Sequence, residues 1–530
     1  MISLSDSNKA LIALLAFLVI YLYFTFSGYY FYDDYGYAQR AYQLLDGSFQ
    51  LQSDSFSHRF GFFAPIACIY ALLGITDFST ILWPVACTIG TVVLLFVYLR
   101  LQPIVCWYAI AATALNSYFI FFIDKVYPDT AVTFFLLLAA ILAERYRHRF
   151  PTKAGFSCIC FLFFAFLTKE TAIYTFPFFA GLLLYEYFKG GASGKQFATV
   201  AFLTGILLFT SYLALYTYYT GHPLYRFISI IESHYVFAGN YIDKSSASII
   251  RRLTYEPWLM FLDSGLLVAI LPGIVMAVYL LLFAKSESLS RYKFWAWFTL
   301  VIATGYWFLS TSTRYYTPLP LSPRMYFALL APSAILAGLF WQKAEQSPRV
   351  ALYLSLLFTP AILYSLYIQS KYAPIYLGLA IIPWVCRMGN LGLYLARALF
   401  VGLLLSVPLY RMISPQQWGY QAEKHFFNTY LSSGKGQTLV ITDERLAASY
   451  DWYNQFSPLA NYRFINFQTA LKQPLDGYDQ AWVLFNPYTF STVSLPIQPW
   501  QLWYEKFGKQ ILLVEEKEGV RLYAWKKHNH

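Results

Sequence analysis

Apolar runs of about 20 residues recur along the chain from Ala10 to Met412, separated by short polar turns. Each run is long enough to cross a hydrocarbon core of about 30 Å. The pattern predicts spans near 10–28, 79–100, 104–123, 128–143, 155–168, 172–188, 196–219, 263–284, 294–311, 325–342, 350–369, 373–386 and 391–412. Segment 61–74 is short and Pro65 interrupts it, so it predicts an interfacial or re-entrant helix. Beyond residue 413 the pattern changes. Residues 437–442, 481–485, 510–514 and 520–525 read as short strands, with polar, helix-compatible stretches at 416–431 and 443–456. The expected architecture is a polytopic α-helical membrane domain over 1–412, with a first outer loop at 29–78. A small α/β extracytoplasmic domain follows over 413–530.

Composition supports the membrane reading. Of the 530 residues 58% are hydrophobic and 12% are charged, with a mean hydropathy of +0.47. A soluble globular chain has about 25% charged residues. The net charge of +11 raises the question of nucleic acid, and the positions of the charges answer it. Arg and Lys gather in alternate turns: Lys9, Arg100, Arg145 to Lys153, Lys189, Lys195, Arg291, Lys293, Lys343, Arg349 and Arg387. That is the positive-inside pattern, with the N-terminus in the cytoplasm, and it leaves no basic surface for nucleic acid. The six cysteines all lie within apolar runs and read as packing residues. The first apolar run lacks a small-residue cleavage site and reads as an uncleaved helix.

The opposite parity gives the outer face residues 29–78, 124–127, 169–171, 220–262, 312–324 and the C-terminal part. Most of these turns carry ionisable groups beside apolar spans, where such groups are costly unless paired or functional. Asp33 and Asp34 follow the first span directly, among tyrosines. The pair reads either as a solvated helix start capped by Asp34 or as a general base or metal ligand facing a lipid-borne substrate. His58 and Arg59, Asp124 to Asp129, Lys169 and Glu170, Arg226, Glu232, His234, Arg251, Arg252, Arg314 and Arg324 lie in the other outer turns. Locally each has a plain alternative: Lys125 and Asp129 fit an ordinary helix pair, and Lys169-Glu170 fits a solvated corner. Glu232 and His234 share a face only in a strand. Taken together, carboxylates and cations on one membrane face suit a lipid-anchored phosphate donor held by cations, with a carboxylate taking the acceptor's proton.

The order of these motifs resembles the membrane-embedded GT-C glycosyltransferases that use polyprenyl- or dolichyl-phosphate sugars. Within them the chain looks most like the protein O-mannosyltransferase group and the lipid A aminoarabinose transferase branch. Asp33-Asp34-Tyr35-Gly36-Tyr37-Ala38 is similar to the acidic motif that opens the family's first outer loop. His58-Arg59-Phe60 with Pro65 resembles the end of that loop, although the family's Lys-Pro-Pro is missing. Tyr127-Pro128-Asp129, Leu167-Thr168-Lys169 with Pro177, Ile231 to His234, and Pro323-Arg324-Met325-Tyr326 with Pro332 resemble later motifs.

The resemblance implies a GT-C-like fold with about thirteen spans and interfacial helices in the first outer loop. It also implies an inverting glycosyltransferase of a bacterial cytoplasmic (inner) membrane, with its active site facing the periplasm. Its partners would be a polyprenyl-phosphate-linked sugar donor, a lipid, glycan or protein acceptor, and membrane lipids. Asp33, Asp34 and Asp129 are the expected catalytic residues, and Lys169, Arg324 and Arg59 the expected holders of the donor phosphate. The resemblance fixes no cofactor, and a divalent metal ion at Glu232, His234 and His58 stays open. The rival readings are a lipid-linked oligosaccharide ligase or polymerase of the same architecture, a secondary transporter and a non-catalytic scaffold.

Overall fold

The structure is a computed structural model describing residues 4–29, 32–231, 241, 244–284, 289–312, 314–431, 436–457, 459–473, 477–491 and 495–525. The chain forms two compact units. The first comprises residues 1–22, 50–65 and 83–410; the second comprises 23–49, 66–82 and 411–530.

The first unit is helical, and its helices follow the apolar runs. In chain order they begin with α1 (Leu4–Thr25), α2 (Tyr32–Asp46), α3 (Phe60–Leu73), α4 (Asp77–Leu99), α5 (Pro103–Ala114) and α6 (Ser117–Phe121); α2 and the ends of α1, α3 and α4 belong to the second unit. Then come α7 (Pro128–Tyr146), α8 (Pro151–Thr168), α9 (Phe176–Lys189), α10 (Gly191–Thr220) and α11 (Tyr225–Ile231). The later apolar helices are Leu267–Leu282, Ser290–Phe308, Phe327–Gln346, Pro348–Tyr367, Ala373–Val385 and Gly389–Ile413. Seven of the described helices are long and apolar enough to cross a membrane, and four shorter ones are apolar throughout. The protein is a multi-pass membrane protein.

Helix starts are set by proline, whose missing N–H costs nothing at the first helical position: Pro103, Pro128, Pro151 and Pro348 all sit there. Hydroxyls inside the spans bond backward to carbonyls, as Thr88 does to Pro84 and Thr133 to Asp129, which keeps them satisfied without water. Helix Phe327–Gln346 is buried on nearly every side and packs against α5, α7 and Leu267–Leu282. Its all-round apolar surface explains that central place.

Charged groups in this unit fall into separate sets at opposite ends of the same helices. On α7, Asp129 lies in the first turn and Glu144 near the other end, a rise of about 22 Å away. Glu144 accepts from Tyr98, which also receives bonds from Arg291 and Trp295. Asp129 belongs to the set described below.

The second unit is built on a five-stranded sheet ordered β2-β1-β3-β5-β4. Strands β1 (Thr438–Thr442), β2 (Tyr462–Asn466) and β3 (Gln480–Phe485) are parallel. Strand β5 (Val520–Trp525) runs antiparallel to both β3 and β4 (Ile511–Lys517). The β4–β5 turn takes positive φ at Glu518 and Gly519, the geometry a two-residue hairpin needs. Alternate residues serve the two faces: Leu439, Ile441 and Val483 pack with Trp500 and Trp503, and Val440 and Leu484 pack with Phe426 and Leu446. Strand β2 escapes the search for apolar runs because Arg463 and Asn466 interrupt it. Helix α2 and the start of α4 also pack within this unit. Asp77 accepts from Tyr420 and from Lys424, each at 2.7 Å, and Tyr42 stacks on Phe456 at 5.1 Å.

Candidate functional site

Three separate stretches of the first unit deliver charge to one place. Tyr127 and Pro128 start α7 and leave Asp129 in its first turn. Helix α8 ends at Thr168, and extended backbone at Lys169 swings that side chain off the helix axis. A 3-10 turn, Pro323–Tyr326, carries Arg324. The three side chains meet: Lys169 Nζ donates to Asp129 Oδ1 at 2.6 Å, and Arg324 Nη1 donates to Oδ2 at 3.2 Å. Arg324 also lies 4.0 Å over the Tyr127 ring. Buried Arg252 fixes the loop before that 3-10 turn by donating to the carbonyls of Trp307 and Leu319.

Glu170 begins a second 3-10 turn, Glu170–Thr175, directly after Lys169. Its carboxylate is gripped by Arg59 through two bonds, Nη2 to Oε1 at 2.6 Å and Nε to Oε2 at 3.2 Å. Arg226, from α11, approaches at 3.7 Å, donates to the Phe166 carbonyl and lies 4.5 Å over the Phe166 ring. Burial pushes the Glu170 carboxyl up, but Arg59, Arg226 and Lys169 outweigh it and hold the group at about 2. Burial drives the Lys169 ammonium below its ordinary range, with Asp129 opposing the shift.

Arg59 reaches Glu170 because its loop is tied down locally. Asp54 Oδ1 accepts from the N–H groups of Phe56 and Ser57 at 2.6 and 2.9 Å. Gly61 then lets α3 meet the end of α8: a Cβ there would stand 2.6 Å from Thr168 Oγ1 and 2.8 Å from the Phe164 carbonyl. Gly61→Ala is therefore expected to push α3 off α8 and to cost about 1–3 kcal/mol of stability. The check is a thermal melt of purified protein, and an unchanged midpoint would mean the contact is slack.

The plain alternatives for the lysines do not hold. Lys125 pairs with Asp124 at 2.9 Å, not with Asp129. Lys169 and Glu170 form no solvated corner, since their side chains are only 3% and 19% exposed. Asp33 and Asp34 lie in the first turn of α2, in the second unit; Asp34 is fully buried and not solvated, and Asp33 is half-buried.

The metal candidate fares differently. Glu232 and His234 lie outside the described residues. His58 is fully buried, its Nδ1 3.0 Å from Tyr216 Oη and its ring beside Tyr225. Burial and then Arg226 lower its pKa. Among the described residues no group of three or more metal-ligating side chains comes together.

His58 instead carries a pH prediction. Burial, then Arg226, holds its imidazole at about 4, with Asp54 and Glu170 pulling weakly the other way. The folded state keeps it neutral, while an unfolded chain protonates it below about 6.5. Its contribution is whole above that pH and is lost as pH falls towards 4, by about 3 kcal/mol. His58→Gln should flatten the fall in melting temperature between pH 7 and 4.5; an equal fall in both proteins would contradict the assignment.

Two cavities adjoin the cluster. One of about 460 Å³ is lined by Glu170, Thr171, Tyr174, His222, Ile230 and Ser312, among others. The other, about 450 Å³ and almost wholly apolar, runs between α8, α9 and α10 past Phe163, Phe166, Phe176 and Phe209. Ile173 and Phe227 line both.

No protein-family model and no curated protein matches the sequence. Solved structures do. ArnT from Cupriavidus metallidurans in the apo state aligns with a TM-score of 0.57 at 12% identity, covering 98% of each chain. The same protein bound to undecaprenyl phosphate aligns at 0.56 and 11%, again over 98% of each chain. The chain has a GT-C-like fold. Identity this low speaks to the fold, and the alignment takes in both compact units. Within that frame Lys169 and Arg324 meet Asp129 directly, and Arg59 joins them through Glu170, the residue beside Lys169. Glu170 and Arg226 are the additions that motif reading passes over. Their signal is faint: a carboxylate beside the chosen lysine, and an arginine on the same outer parity.

Proposed function

We propose that this chain is an inverting glycosyltransferase of a bacterial cytoplasmic membrane. It moves a sugar from a polyprenyl phosphate to a hydroxyl of a lipid, glycan or protein on the periplasmic side. The observation that carries the reading is a gathering of cations. Arg59, Lys169, Arg226 and Arg324 converge on Asp129 and Glu170 in largely buried surroundings. Cations grouped in this way suit the charge-assisted bonds of an anionic phosphate.

A sugar–phosphate diester carries one negative charge, whereas a departing phosphate monoester carries up to about two at neutral pH. The cluster therefore complements the leaving group better than the donor, which is the condition for rate acceleration. In the reaction, the acceptor oxygen attacks the anomeric carbon and the bond to the phosphate oxygen breaks. That electron pair leaves with the lipid phosphate, and the hydroxyl proton passes to Asp33, supported by Asp34. Lys169, Arg324 and Arg59 hold the phosphate, and Asp129 orients the first two. The apolar cavities suit the isoprenoid chain. The solved ArnT with undecaprenyl phosphate lends the same reading support from outside.

The test is transfer itself. Purified protein in lipid, given radiolabelled undecaprenyl-phosphate sugars and membrane extract, should move label to a new carrier. Solute flux without transfer would make it a transporter instead.

A further inference from the structure

We propose that a pocket of aromatic rings around Arg445, in the second unit, holds a sugar of the acceptor, so that the accepting hydroxyl belongs to a saccharide. This rests on the transferase reading above and narrows its acceptor. Tyr29, Tyr35, Tyr420, Trp452, Tyr453 and Arg445 line an enclosed space of about 20 Å³. That is room for about one water or one sugar hydroxyl, so a sugar ring would lie against the mouth and send a hydroxyl in. Arg445 comes from the helix Glu444–Ser449, which leaves the carboxyl end of β1. The strand order β2-β1-β3 reverses direction there, and open α/β sheets take ligands at such a point.

The rings are held ready. Trp452 Nε1 donates to Tyr420 Oη at 3.0 Å, Tyr420 donates to Asp77, and Tyr453 donates to Glu423. Tyr29 meets the Trp452 ring edge to face at 4.2 Å. Side chains fixed in this way lose little freedom when a ligand arrives. Arg445 is 9% exposed and donates through Nη2 to Glu423, yet its Nε is buried with no acceptor. Such an N–H is costly to leave unmade, and a ligand hydroxyl can accept from it. An acyl chain would leave these polar groups without partners. A phosphate or carboxylate would meet a guanidinium already paired with Glu423, with Asp443 4.0 Å away. A sugar offers both surfaces that the pocket presents partners for: C–H bonds on its ring face for the aromatics, and edge hydroxyls that donate and accept. Asp33, the proposed base, shares the first turn of α2 with Tyr32 and Tyr35, which both line the pocket.

The measurement is saturation-transfer NMR on full-length protein in nanodiscs with methyl mannoside, methyl glucoside, methyl galactoside and N-acetylglucosamine. At least one sugar should receive saturation, most strongly on its ring protons. Trp452→Leu removes an aromatic face, and Ser449→Phe, at another lining position, fills the enclosed space. Each should weaken that sugar about three- to tenfold while undecaprenyl phosphate binds as before. A diazirine-bearing form of the same sugar, photolysed on the unmodified protein, should label residues 445–453, which keeps the proposal testable where a variant folds poorly. Binding of none of the sugars, unchanged binding in both variants, or label placed elsewhere would overturn it. Saturation of a serine-containing hexapeptide in place of every sugar would overturn it too and make this a peptide site. Failure of undecaprenyl phosphate to bind the unmodified protein would instead remove the donor-site reading, whatever the sugars do.

Discussion

Lys169→Ala is expected to lower sugar transfer by about 10²–10³-fold, the usual loss when one donor to a developing anion is removed. Lys169 donates to Asp129 at 2.6 Å, with its side chain almost wholly buried. Removing it has two effects that must be told apart. The cluster loses one of its cations, which weakens the hold on the lipid phosphate. Asp129 also loses its shorter partner and keeps Arg324 at 3.2 Å, and breaking a buried pair costs about 3–5 kcal/mol when nothing else compensates. Arg324 places the cost at the lower end. A double variant, Lys169→Met with Asp129→Asn, leaves no orphaned carboxylate and should recover most of the melting temperature. If the lysine serves the phosphate, the double variant stays inactive and binds undecaprenyl phosphate poorly. Recovery of transfer along with stability would make Lys169 a structural residue only.

Much of this was legible before any coordinates. Seven of the thirteen expected spans appear among the described residues as helices long and apolar enough to cross a membrane, and these follow from run length, because lipid requires each crossing segment to satisfy its own backbone. Alternate loops then sort the charges by side, so Lys169, Asp129 and Arg324 fall on one rim despite their distance in sequence. Two kinds of fact stayed hidden. One is pairing: whether Lys125 or Lys169 meets Asp129 depends on where the chain turns at Lys169, and extended backbone at one residue carries no sequence signature. The other is the grouping of segments. Residues 23–49 and 66–82 pack with the C-terminal sheet through Asp77, Tyr42 and Phe456, contacts between residues more than 340 positions apart that no local pattern encodes. Helical periodicity reports which face of an element is apolar, and says nothing of which distant partner covers it.

Asp33→Asn carries the second large expectation, a loss of transfer of about 10²–10⁴-fold with the fold intact. The substitution is isosteric and removes the carboxylate proposed above to take the acceptor's proton. Asp33 is half-buried in the first turn of α2, where a carboxylate beside the helix N-terminus adds only about 0.3–1 kcal/mol. Its neighbour Asp34 is fully buried, so Asp34→Asn should move the melting temperature more than Asp33→Asn does. The kinetic signature separates the base from the phosphate clamp. In Asp33→Asn the turnover number falls while undecaprenyl phosphate binds as before, since no charge in the cationic network has changed. In Lys169→Ala both fall together. Turnover at the unmodified rate in Asp33→Asn would exclude that residue as the base. An unchanged turnover number with a raised acceptor KM would leave Asp33 holding the acceptor and assign the proton to another group.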